Sequence, residues 1–170
     1  LGCAFPDHGL EGEEFGISRP DARHRWVVDP IDGTRAFITG SPMWGTLIGL
    51  LEGAQPVLGV MDQPFTGERF WSDGVQSFAS RNGEKRIMRT RSCDSLSSAV
   101  LMTTDPLLFR AGAERTAFEN LRAKVRLTRY GGDCYAYALL ASGFVDIIVE
   151  SGLKPYDIVA LIPIVEAAGG

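Results

Sequence analysis

The sequence predicts a mixed α/β protein in which mixed and antiparallel sheets lie between helices. Three observations carry this: a β-rich middle third, an alternation of strand and helix patterns after it, and no linker or repeat separating the two. At 170 residues with 45% hydrophobic side chains, the chain has the size and apolar content of a single domain, residues 1–170, with a sizeable core.

Taken in order, Arg25 to Asp29 is a short apolar run ending in an acid, which predicts a buried strand delivering a carboxylate at its carboxyl end. A short helix follows Gly33. Gly45 to Leu51 and Pro56 to Met61 are β-rich runs joined as a hairpin by Glu52-Gly-Ala-Gln55. Arg69 to Ser72, Ser77 to Ser80 and Lys85 to Met88 continue the meander, with Asn82-Gly83 a two-residue hairpin signal. Beyond it, strands are expected at Ser98 to Thr103, Val125 to Thr128 and Phe144 to Glu150. Helices are expected at Ala113 to Lys124, Asp133 to Ser142 and Asp157 to Ala168, the last ended by paired glycines.

Composition excludes some functions. With 22% charged residues and a net charge of -4, nothing favours nucleic acid or an anionic membrane as partner, since either wants clustered Lys and Arg. Cys3, Cys93 and Cys134 form no zinc pattern with His8 and His24, and read as reduced thiols of a cytoplasmic protein. No run approaches the roughly 20 apolar residues that span a bilayer, and the amino end lacks a secretory signal pattern. The start on Leu1 and the stop at Gly169-Gly170, right after a helical pattern, read as those of a fragment of a longer protein.

The most informative stretch is Asp29-Pro-Ile-Asp-Gly-Thr34. Two carboxylates three residues apart, in a turn forced by Pro30 and Gly33, can converge as hard oxygen ligands for a divalent cation. Gly33 lets backbone approach a ligand closely, and the N–H groups opening the next helix, with the Thr34 hydroxyl, suit a phosphate oxygen. Taken alone, the turn suits an Asx turn capping a helix equally well.

Two further acidic stretches, Gly12-Glu13-Glu14 upstream and Tyr156-Asp157 at the start of an apolar helix, extend the pattern. Gly-Glu-Glu, then Trp-Val-Val-Asp-Pro-Ile-Asp-Gly-Thr, then an aromatic-Asp pair opening a helix that ends Glu-Ala-Ala-Gly-Gly, resembles the ordered motifs of the inositol monophosphatase family from about Glu11 to Gly170. The resemblance implies the layered αβαβα sugar-phosphatase fold, a homodimer, and a phosphatase using two or three Mg²⁺ ions on a small phosphate monoester. It implies that Glu13, Asp29 and the Ile31 carbonyl hold one metal and that Asp29, Asp32 and Asp157 hold another. Gly33 and Thr34 would contact phosphate; Thr34 and Glu13 would position or deprotonate the attacking water, with Asp32 beside them in the catalytic set. Glu14 is either a ligand or a salt-bridged support. The amino-terminal helical region and carboxyl-terminal extension usual in the family are missing from the sequence.

Substrate choice rests on Arg129-Tyr-Gly-Gly-Asp-Cys-Tyr-Ala-Tyr137 and Gly152-Leu-Lys-Pro-Tyr-Asp157, which look like the histidinol-phosphatase branch. Histidinol carries an ammonium and a readily protonated imidazole, so its pocket wants acids and aromatics. Asp133 and Glu150 are the candidate substrate contacts. Asp133 also suits a helix cap, and Glu150 a strand-end surface acid. Tyr135 and Tyr137 read as core or dimer contacts, and Arg129 is unassigned. The rival readings are an inositol, sugar or nucleotide phosphatase and a non-catalytic binding domain of the same fold.

Overall fold

Side chains alternate in and out along the first half of the chain, and that period of two builds a broad sheet. The computed structural model describes residues 1–14 and 16–170. Its larger sheet contains β1 (Gly9–Gly12), β2 (Gly16–Ser18), β3 (His24–Asp32), β4 (Gly45–Glu52), β5 (Gln55–Gln63), β6 (Glu68–Ser72), β7 (Ser77–Arg81) and β8 (Glu84–Met88). The spatial order is β2-β1-β3-β4-β5-β6-β7-β8, antiparallel except where β1 runs parallel to β3. In β4 every second residue, Gly45, Leu47, Gly49 and Leu51, is buried.

The second half alternates. Strands β9 (Val100–Thr103), β10 (Leu127–Tyr130) and β11 (Ile147–Ile148) form a parallel sheet in the order β10-β9-β11. The helices are α1 (Thr34–Ile38), α2 (Ala113–Arg122), α3 (Asp133–Ala141), α4 (Pro155–Ile158) and α5 (Leu161–Glu166). One apolar cluster joins Leu47, Met61 and Phe70 of the large sheet to Ala138 and Ala141 of α3 and to Leu161 and Ile164 of α5. A second joins the other side of α3, through Ala136, to Val100 and Met102 of the small sheet. Phe118 of α2 packs with Leu101 and Phe109 on that sheet's far face. The layers therefore run sheet, helices, sheet, helix, the mixed α/β class that the sequence predicts.

Three expectations are corrected. The helix expected from Asp157 to Ala168 begins two residues earlier and breaks between Ile158 and Leu161. Pro163 has no N–H to bond the Val159 carbonyl four residues back, and its ring would crowd that oxygen. The break brings Ala160 against the sheet, where only glycine fits: a Cβ on Gly59 would lie 1.8 Å from the Ala160 carbonyl oxygen, and one on Gly49 2.8 Å from its nitrogen. The strand expected over Phe144 to Glu150 shrinks to two residues, because the Val100 N–H is taken by the Asp146 carboxylate at 2.7 Å and the Thr104 N–H by Glu150 at 2.7 Å. The strand expected at Val125 to Thr128 starts at Leu127, since Val125 still packs with the α2 cluster. Strands β1 and β2 were not expected at all.

Candidate metal and phosphate site

In a regular strand Asp29 and Asp32, three residues apart, would point to opposite faces. The β3–β4 register shifts between them, and this irregularity turns both carboxylates to one side. The Thr46 hydroxyl holds the bend by donating to the Pro30 carbonyl at 2.7 Å. Asp157 arrives from the first turn of α4, which docks on β3 and β4 through Tyr156 and Val159 against Val27 and Leu51. Its carboxylate accepts the Lys154 N–H at 2.7 Å.

The result is a triad of acids, Asp29, Asp32 and Asp157, each offering an oxygen within 4.8 Å of the others. Asp29 is 2% exposed and accepts one backbone bond, from the Ile31 N–H at 3.0 Å. This is an Asx turn, one of the two readings of the motif; it caps no helix, because the residue before α1 is Gly33. Asp32 accepts the Cys134 N–H at 2.9 Å, so it, and not Asp133, serves the open first turn of α3. Among the described residues no ion pair engages any of the three acids. Burial, helped by neighbouring acids, pushes Asp29 up to about 6 and Asp32 up to about 7. Burial also raises Asp157. Hard oxygen donors crowded together, with only the charge of Lys154 acting on Asp157 and no ion-pair contact, fit a divalent metal of the Mg²⁺ class.

Around the triad stand the other sequence candidates. Gly12 of β1 pairs with Val28, so the turn holding Glu13 and Glu14 emerges beside Asp29. Both glutamates are exposed and lie outside the three-acid cluster, although the charge of Glu13 contributes to raising Asp29. Among the described residues Glu14 forms no ion pair, which removes the salt-bridged support; Glu11 pairs with Arg25 at 3.1 Å instead. The Ile31 carbonyl accepts the Thr34 hydroxyl at 3.1 Å, linking two candidates directly. Gly33, at φ 83°, needs its missing Cβ: that atom would lie 2.9 Å from the Met43 carbonyl oxygen and 3.0 Å from the Asp133 Cβ.

Asp133 and Glu150 reach the same place. A cavity of about 210 Å³ is lined by Asp32 and Asp157 at one end and by Thr104, Asp133, Tyr137 and Glu150 elsewhere. Asp133 sits at φ 42°, a left-handed conformation that costs a non-glycine residue energy, and it makes no capping bond. Burial raises its pKa, opposed by the charge of Arg35. Glu150 is half-buried, not a surface acid, and accepts from the Thr104 N–H at 2.7 Å and hydroxyl at 3.0 Å. Tyr135 donates to Glu68 at 2.6 Å and packs edge-on against Phe70, as a core residue would. Tyr137 packs against the same core cluster, as expected, and in addition lines the cavity. Its position four residues after Asp133 was the available signal. Arg129 is exposed on β10.

A profile of the inositol monophosphatase family matches residues 2–170. The chain belongs to the inositol monophosphatase family. It is 53% identical over 168 residues to the chloroplastic bifunctional phosphatase IMPL2 of Arabidopsis thaliana, covering 98% of this chain and 47% of that protein. It is 39% identical to a histidinol-phosphatase of Chlorobaculum parvum, covering all of this chain and 64% of that one. An inositol monophosphatase structure from Zymomonas mobilis superposes with a TM-score of 0.89 at 50% identity, over 99% of this chain and 64% of that one. The chain thus spans about half to two thirds of the length of these relatives. Among the described residues no helix is long and apolar enough to cross a membrane.

Proposed function

We propose that this family member is the core of a Mg²⁺-dependent phosphomonoesterase that hydrolyses histidinol phosphate. The observation carrying the reading is that one cavity is lined both by the acids Asp32 and Asp157 and by the leaving-group candidates Asp133 and Glu150. Two or three Mg²⁺ ions would neutralise phosphate oxygens and make a water more acidic.

The chain's own residues do the rest. Asp29, Asp32 and Asp157 hold the cation site, with Glu13 and the Ile31 carbonyl at its Asp29 side. The Gly33 and Thr34 backbone N–H groups at the start of α1 take phosphate oxygens. The Thr34 hydroxyl orients the attacking water, and the Glu13 carboxylate receives its proton. Since phosphoryl transfer depends chiefly on positioning and charge stabilisation, no protein nucleophile is needed. Asp133 and Glu150 meet the cationic alcohol. The free thiols of Cys3, Cys93 and Cys134 support a reducing compartment, the cytoplasm in our reading, and the family resemblance supports a homodimer.

The histidinol-phosphatase relative supports this substrate; the 50% identity to the Zymomonas inositol monophosphatase favours inositol phosphate as the second reading. Phosphate release from histidinol phosphate, inositol 1-phosphate, fructose 1,6-bisphosphate and adenosine 3',5'-bisphosphate, with and without Mg²⁺, separates them. Histidinol phosphate is expected to have the highest kcat/KM, and only with Mg²⁺. Asp133→Asn and Glu150→Gln are each expected to lower that value at least about 30-fold, the roughly 2 kcal/mol of an enclosed charge pair. A higher kcat/KM for inositol 1-phosphate moves the assignment to the second reading, and no turnover of any substrate moves it to a binding domain.

A further inference from the structure

Tyr137 is the one aromatic side chain among the described residues lining the acidic cavity. It lies one helical turn beyond Asp133 on α3, so the two side chains share a face of that helix. Behind it, Tyr137 also lines an apolar recess with Leu140, Ile148, Ile158 and Leu161. The side chain packs against the apolar core cluster and borders a space whose lining includes Asp32, Asp133, Glu150 and Asp157. Among the described residues no hydrogen bond holds its hydroxyl, in contrast to Tyr135, whose hydroxyl donates to Glu68. A tyrosine hydroxyl is protonated near neutral pH, so the side chain is a neutral wall among carboxylates.

A neutral aromatic among carboxylates discriminates between ligands that are cationic and ligands that are merely polar. Carboxylates supply the attraction for an ammonium or imidazolium, and the ring quadrupole adds to it at van der Waals distance without itself needing to be neutralised. A neutral polyol gains no charge–quadrupole attraction from the ring. From this juxtaposition we infer that Tyr137 is a specificity-determining residue, its ring selecting a phosphate ester whose alcohol carries a cationic or protonated aromatic group. The inference rests on the proposed substrate reading and adds to it the residue that sets the choice between amino alcohol and polyol.

The test separates ring from hydroxyl. Tyr137→Leu removes the π face while keeping an apolar filler, and Tyr137→Phe keeps the face. For each variant, loaded with Mg²⁺ and shown to melt cooperatively, kcat/KM is measured on histidinol phosphate and on glycerol 2-phosphate, a neutral ester without a ring. Selectivity for histidinol phosphate is expected to fall about tenfold in Tyr137→Leu, mainly through KM, and to stay within about twofold in Tyr137→Phe. Calorimetric binding of histidinol itself reads the same contact without turnover, and its Kd is expected to weaken in parallel. A wild-type protein that binds histidinol but does not turn over its phosphate ester overturns the substrate reading and leaves the Tyr137 assignment standing on the Kd values. Equal losses on both esters in Tyr137→Leu, a loss in Tyr137→Phe matching that in Tyr137→Leu, or no histidinol binding by the wild type overturns the Tyr137 assignment.

Discussion

Asp146 and Asp32 are both enclosed aspartates, and the protein treats them in opposite ways. Asp146, with a side chain 3% exposed, is gripped by Arg91 through two bonds of 2.8 and 2.5 Å and by the Val100 N–H at 2.7 Å. Its pKa drops to about 2, chiefly through the Arg91 hydrogen bonds. Asp32 receives the Cys134 N–H and faces Asp29 and Asp157, and burial lifts it to about 7. One carboxylate is compensated by a cation of the chain, whereas the other is not. That contrast supports the proposed metal role of Asp32 without reference to any relative.

The sharpest way to break the contrast is to neutralise each aspartate in turn. Asp32→Asn is expected to lower Mg²⁺-dependent phosphatase activity on the order of 10³-fold, the several kcal/mol that a cation contributes to phosphoryl transfer. It should also raise the melting temperature of the metal-free protein, since a repelled charge is gone while the Cys134 N–H keeps an acceptor. Retained activity would show that Asp32 is not a ligand. A fall in metal-free stability would show that its charge is structural, like that of Asp146.

Glu13 tests the same idea at the rim. As an exposed residue beside Asp29 and outside the three-acid cluster, it is proposed to handle the proton of the attacking water. Glu13→Gln is then expected to reduce kcat roughly 10²-fold with KM nearly unchanged, the usual size of a general-base contribution. A raised KM at normal kcat would place Glu13 in substrate binding instead.

How much of this was readable beforehand follows from which forces act locally. The meander from Gly45 to Met88 was legible because strand period and turn chemistry are nearest-neighbour properties, and Asn82-Gly83 makes the turn between β7 and β8. The acid pair was legible as well, but not its setting: the strand expected to end at Asp29 runs on through Pro30 to Asp32, where a turn was expected. Nor was the face onto which the carboxylates turn, since that depends on the register slip against β4. Strands β1 and β2 escaped notice because their glycines and the Glu13-Glu14 turn carry no apolar alternation; β1 exists by pairing with β3. The helix break was signalled locally by Pro163, but the seating of Ala160 against the sheet was not, since it depends on Gly49 and Gly59, more than a hundred residues away in sequence. Tyr137 was legible as a core contact, but its second role as cavity lining was not, because that depends on Glu150, which the chain brings in from a distant segment.

On the structural side of the contrast, Asp146→Ala is expected to destabilise by about 2 kcal/mol. This is the cost of leaving the Val100 N–H unbonded, discounted on the Arg91 side because that guanidinium is partly in water. For a chain of this size that corresponds to a melting temperature lower by roughly 4–8 °C. Residual activity per folded molecule should match the parent protein. An activity loss larger than the folded fraction explains would tie Asp146 to the site and dissolve the distinction.

The remaining test sees both kinds of acid in a single titration. Asp29 and Asp32 stand at about 6 and about 7 when folded, against an ordinary 3.8. Between about pH 4 and 7 the folded protein therefore keeps protons that the unfolded chain has released, and stability falls as pH rises through that window. Asp146, at about 2 folded, acts in the other direction: its contribution is present above pH 4 and is lost as pH falls toward 2. Each proton contributes at most about 1.4 kcal/mol per pH unit, worth roughly 2–4 °C per kcal/mol here. Melting curves in EDTA from pH 3 to 8 are thus expected to peak near pH 4–5 and decline on both sides. Saturating Mg²⁺ should remove the decline toward neutral pH, because a bound cation restores the ionised form of the triad, and should leave the acid limb unchanged, because Asp146 already has its partner. A metal-free curve that stays flat or rises from pH 4.5 to 7 would mean that the three carboxylates find compensation within the chain, and the reading of the triad as a cation site would lose its physical basis.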